Sequence, residues 1–107
     1  MKKIITLILG IGFFFIAATT YAQEQTDYDK SITRVGTSVV GLSHFAIDGD
    51  FTLSCKDDVV YINANTDFGK AALETVLTAK STGHKLSRIQ YFQESDTTCN
   101  LWMVEYN

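Results

Sequence analysis

The sequence predicts a small, mainly β domain carrying one helix, in the order strand, strand, strand, helix, strand, strand. Three observations lead there. Residues 65–92 read as a capped amphipathic helix running directly into a strand. On either side of it, short runs rich in β-branched and aromatic residues alternate between apolar and polar positions. Two cysteines, Cys55 and Cys99, bracket the helix as an even pair.

Residues 1–22 stand apart from this pattern. Lys2 and Lys3 form a basic start, residues 4–18 are an apolar run, and Thr20-Tyr21-Ala22 fits the small-x-small signature of a cleavage point. The run is about 15 residues, short of the roughly 20 that a spanning helix needs. Residues 1–22 are therefore expected to be a signal peptide, and the product to be exported, periplasmic or secreted, without membrane insertion after cleavage. Gln23 rather than a cysteine follows the cut, so lipid anchoring is not expected.

Removing Lys2 and Lys3 from the 9 basic residues leaves 7 against 12 acidic ones, and the formal charge moves from −3 to −5. Neither a basic footprint for nucleic acid nor a polybasic patch for a membrane surface is present.

Residues 23–30 are polar and without periodicity, and are expected to form a flexible arm ahead of a single domain over residues 31–107. Ile32, Val35, Val39 and Val40 then mark a first strand, with Gly36 and Gly41 offering a bend and a turn. In residues 42–47, Ser43, Phe45 and Ile47 share one face and Leu42, His44 and Ala46 the other. Asp48-Gly49 is a two-residue hairpin signal, after which residues 51–55 continue as a short extended piece. Residues 59–63 are the clearest strand.

The helix follows. Thr66 and Asp67 supply oxygens to its unpartnered first N–H groups. Phe68, Ala72, Leu73, Val76 and Ala79 form its apolar stripe. Gly83 closes it where a left-handed residue is needed. In the next strand Ile89 and Tyr91 share a face, and Leu86, out of phase with them, implies a bulge near Ser87-Arg88. In the last strand Trp102, Val104 and Tyr106 alternate against Leu101, Met103 and Glu105.

Five strands with a helix between the third and fourth is the order of the OB-fold, a five-stranded Greek-key barrel. The glycine and bulge signals that let a sheet bend sharply favour that barrel. An open α+β sheet with one helix is the alternative.

In an oxidising compartment the simplest reading of Cys55 and Cys99 is a disulfide. The chain-entropy model gives such a loop about 4 kcal/mol of stabilisation, which matters in a domain with a limited core. The competing reading, a catalytic or metal-binding thiol, lacks a second ligand at zinc spacing near either cysteine.

The run Val59-Val60-Tyr61-Ile62-Asn63, the helix ending Ala79-Lys80-Ser81-Thr82-Gly83, the strand after it and the late Cys99 resemble short exported bacterial proteins. They also resemble the OB-fold B subunits of pentameric toxins of the subtilase-cytotoxin and pertussis-like kind. The resemblance implies a disulfide-stapled OB-fold with the capacity to form homo-oligomeric rings and bind glycans. No sugar-contacting position of those toxins transfers to a residue of this chain.

Candidate chemistry is sparse. His44 and His84 have no third ligand or orienting carboxylate near them in sequence. Asp48, Asp50, Asp57 and Asp58 do not complete a calcium loop and suit turns. There is no nucleophile elbow, phosphate loop or zinc signature. No catalytic residue, metal or cofactor is therefore assigned, and a non-enzymatic module is expected. The ligand-binding candidates are Trp102, Tyr91, Tyr61 and Tyr106, each joining apolar area to a polar tip suited to a sugar ring or a partner subunit. Those sharing a face with Val104 and Ile89 are core by default. The alternative function is a periplasmic inhibitor or accessory subunit that pairs with a protein partner through a sheet edge.

Overall fold

The computed structural model describes residues 23–107; the signal peptide expected at residues 1–22 lies outside the described residues. The elements are β1 (Gln23–Lys30), β2 (Ile32–Thr37), β3 (Leu42–Ile47), β4 (Val60–Asn63), α1 (Asp67–Thr82), β5 (Leu86–Gln93) and β6 (Cys99–Tyr106). All six strands join one mixed sheet in the order β1-β5-β6-β4-β3-β2. The β4–β6 pair is parallel and every other pair is antiparallel. The class is mainly β with one helix, consistent with the open-sheet alternative.

The sixth strand corrects the sequence reading. Residues 23–30 are not a loose arm but β1, paired along β5 from Gln23↔Gln93 to Lys30↔Leu86. Its polar sequence hides it, because what holds it is the backbone ladder and a buried carboxylate, Asp27, rather than apolar periodicity. β1 and β2 lie at the two ends of the strand order, yet only Ser31 separates them in sequence. The Ser31 carbonyl accepts the Asp48 N–H at 2.9 Å.

The helix begins and ends where its capping residues stand. Thr66 Oγ1 accepts the Gly69 N–H at 2.9 Å, and Gly83 closes the last turn in the left-handed region, φ 75°. Gly69, Ala72, Val76 and Ala79 form the buried stripe, with Leu73 packed at its margin. Phe68, expected in that stripe, is instead 48% exposed. Gly69 takes the inward position because a Cβ there would lie 1.7 Å from the Asn63 carbonyl oxygen, so the helix seats directly on the end of β4.

Between β3 and β4 the chain makes a long connection instead of a two-residue hairpin and a strand. Gly49 does turn it, at φ 83°. Phe51 then drops into the core edge-on to Phe45 and Tyr91, with ring centroids 6.0 and 5.4 Å away. Burial of Phe51 and Cys55 holds residues 51–55 without a ladder. The core is completed by Ile47, Val60, Ile62, Leu86, Ile89 and Leu101.

The bulge expected near Ser87 is present: Leu86 pairs with Tyr106 and Arg88 with Glu105, leaving Ser87 extra. A second bulge decides the placement of the candidate site. Tyr91 pairs with Leu101 and Gln90 with Met103, so Trp102 is the surplus residue of β6. The simple alternation therefore breaks at Trp102, which faces away from the core that Leu101 enters.

Candidate binding groove

The outer faces of β4, β6 and β5 and the first turn of α1 enclose a shallow depression of about 770 Å³. Trp102 and Phe92 form its corner, with ring centroids 6.4 Å apart and planes at 75°. Trp102 is 63% exposed, so much of its side chain is open to solvent. Tyr61 and Phe68 border the depression from β4 and α1, and the amides of Asn63, Gln90 and Asn100 lie among the rings. The lining thus interleaves large aromatic area with neutral hydrogen-bonding amides.

Local hydrogen bonding fixes this frame. The Asn63 carbonyl accepts the Thr66 N–H at 3.3 Å and the Thr66 hydroxyl at 3.0 Å, which docks the start of α1 and carries Phe68 to the rim. Asn63 Oδ1 accepts the Asn65 N–H, leaving its Nδ2 as a donor. Asn100 Nδ2 donates to Glu94, leaving its Oδ1 as an acceptor. The Tyr61 hydroxyl donates to Asp57 at 3.3 Å. Burial, then the charge and hydrogen bond of Asp57, push the Tyr61 phenol above its ordinary value, so it stays protonated.

No family model, curated protein or solved structure matches the chain.

The four aromatic candidates separate. Trp102 and Tyr61 line the groove. Tyr91 is fully buried, and its hydroxyl accepts the Leu53 N–H at 3.1 Å while donating to Asp27. Burial raises its pKa, reinforced by the hydrogen bond and charge of Asp27 and opposed by the Leu53 N–H. It is a structural tyrosine, outside the groove. Tyr106 packs against the His84 ring at 5.5 Å, on neither wall of the groove. The face shared with Val104 does not include Trp102, because the bulge intervenes. Phe92, Asn63, Gln90 and Asn100 also belong to the groove, as does Phe68, which periodicity places in the helix's buried stripe. Phe92 was within reach of the sequence, since it alternates outward from Ile89 and Tyr91. The amides carry no signal without the fold.

Cys55 and Cys99 form a disulfide with Cα atoms 5.4 Å apart, tying the β3–β4 connection to the start of β6. His44 packs edge-on to Tyr61 at 5.9 Å and over Gly36, where an added Cβ would meet its ring at 2.6 Å. His84 Nδ1 shares a 2.7 Å hydrogen bond with the Thr82 hydroxyl. Among the described residues, no three His, Cys, Asp or Glu side chains converge as a metal site, and no helix is long and apolar enough to cross a membrane.

Proposed function

We propose that this chain is an exported, non-enzymatic recognition module that binds glycans through the Trp102 groove. The observation that carries the reading is an exposed indole at a bulge, cornered by Phe92 and neighboured by neutral amides. A sugar ring offers an apolar C–H face to such a surface and hydroxyls to the amides. The disulfide favours a non-reducing compartment.

The same reading takes the sheet as an OB-like barrel. In its support, β1 and β2 act as one bent strand through Ser31 while flanking opposite ends of the order, and β4 runs parallel to β6. Ring assembly, implied by the toxin B-subunit resemblance, belongs to this reading. Native mass spectrometry tests it, with a closed homo-oligomer as the expected species.

Glycan-array binding by the wild type, lost in a Trp102→Ala variant with unchanged circular dichroism, is the expected result. A blank array for the folded wild type overturns the reading. The second reading is an inhibitor or accessory subunit that grips a protein partner at the β2 end of the sheet. It draws on Val39, 102% exposed, and Val40 at the tip of the β2–β3 turn.

A further inference from the structure

Every side chain lining the groove is uncharged: its polar groups are the amides of Asn63, Gln90 and Asn100, the hydroxyls of Tyr61 and Thr66 and the indole N–H of Trp102. Resting on the glycan reading above, we propose that the groove selects an uncharged pyranose and rejects sialic acids, uronic acids and sulfated sugars.

Two independent features support this choice. The first is donor and acceptor balance. Asn63 offers a donor, Asn100 an acceptor and Gln90 both. A sugar hydroxyl satisfies either kind, whereas a carboxylate or sulfate only accepts and calls for a cation. The second is the surrounding field. Glu94 is bonded to Asn100 and Asp57 to Tyr61, so two carboxylates stand one hydrogen bond behind the lining and oppose an anion there. Lys56 borders only the adjoining depression of about 250 Å³, which shares Tyr61 and Asn100 with the groove. The nearby Asp96 carboxyl is held below its ordinary value chiefly by Thr98 N–H and hydroxyl bonds and in smaller part by the charge of Lys56. The wider chain is acidic, with 12 carboxylates against 7 cations once Lys2 and Lys3 are set aside from the 9.

The test is an array carrying each oligosaccharide backbone in two forms, uncharged and capped with sialic acid, glucuronate or sulfate. Wild type is expected to bind uncharged members at least tenfold more strongly than their capped counterparts at low salt. A Gln90→Lys variant, which places a cation in the lining, is expected to narrow that ratio. Trp102→Ala is expected to lose both signals. Equal or stronger binding to the anionic forms by wild type overturns the selectivity while leaving glycan binding intact. A folded wild type that binds no member overturns the glycan reading and the selectivity together.

Discussion

The Tyr91 hydroxyl donates to Asp27 Oδ2 at 2.9 Å, joining β5 to β1 across 64 positions of sequence. The same carboxyl group accepts the Thr52 N–H at 3.0 Å and the Thr52 hydroxyl at 2.6 Å, while Tyr91 receives the Leu53 N–H. A single buried carboxylate thus binds the edge strand, the β3–β4 connection and a central tyrosine. With its lone pairs occupied, it is satisfied rather than stranded.

Burial alone would raise the Asp27 pKa, but the Thr52, Tyr91 and Gln25 hydrogen bonds outweigh it and hold the group below its ordinary value of 3.8. A carboxyl depressed in the fold contributes stability that is whole above its unfolded pKa and is lost as pH falls through the folded one. Wild-type stability in urea melts should therefore decline below about pH 4 more steeply than that of Asp27→Asn. At pH 7 the variant should cost about 1–3 kcal/mol. Parallel pH profiles for the two proteins would remove Asp27 from this role.

Two glycine substitutions should differ in kind. Gly69→Ala puts a Cβ 1.7 Å from the Asn63 carbonyl oxygen and must push α1 off β4. A loss of about 1–3 kcal/mol or more is expected, with Phe68 displaced from the groove. Gly49→Ala meets nothing within 4 Å and suffers only its φ of 83°, roughly 1 kcal/mol. Thermal melts that rank Gly49→Ala as the more damaging would contradict the docking described for α1.

Reduction, or the Cys55→Ser/Cys99→Ser variant, should lower unfolding free energy by about 2–5 kcal/mol. Loss of anchoring at Cys55 should also loosen the connection that carries Thr52 and Leu53, seen as faster amide exchange at Leu53. Unchanged exchange there, alongside a lower melting point, would confine the bridge to an effect on the unfolded chain.

Trp102→Ala should leave stability within about 0.5 kcal/mol, because an exposed surface residue is being trimmed. Phe45→Ala, at a fully buried position, should cost about 3–5 kcal/mol. A Trp102 variant as unstable as the Phe45 one would return the indole to the core.

The helix was legible because its signals are local: Thr66 caps it, Gly83 stops it, and Ala72, Val76 and Ala79 recur at helical spacing. The Ser87 bulge was legible for the same reason, as a phase break between Leu86 and Ile89. β1 was not, since its order comes from partners more than fifty residues away and its one buried side chain is an acid. Phe68 misled because helical periodicity ranks by hydrophobicity, whereas contact with the Asn63 carbonyl demands the smallest residue. The face of Trp102 was not legible, because its bulge lies in the pairing with Gln90 and Tyr91, which no reading of β6 alone contains. Of the groove, Tyr61 and Trp102 were accessible from residue chemistry. Its amides become a set only once three strands lie side by side.

β6, which follows every other described strand in sequence, sits between β5 and β4 near the middle of the sheet. Without it, β1–β5 and β4–β3–β2 would be two ribbons continuous through Ser31 but with no ladder between β5 and β4. β6 therefore acts as a keystone, since it alone carries a ladder to both β5 and β4. A lesion within β6 would open the sheet at its centre instead of trimming an edge.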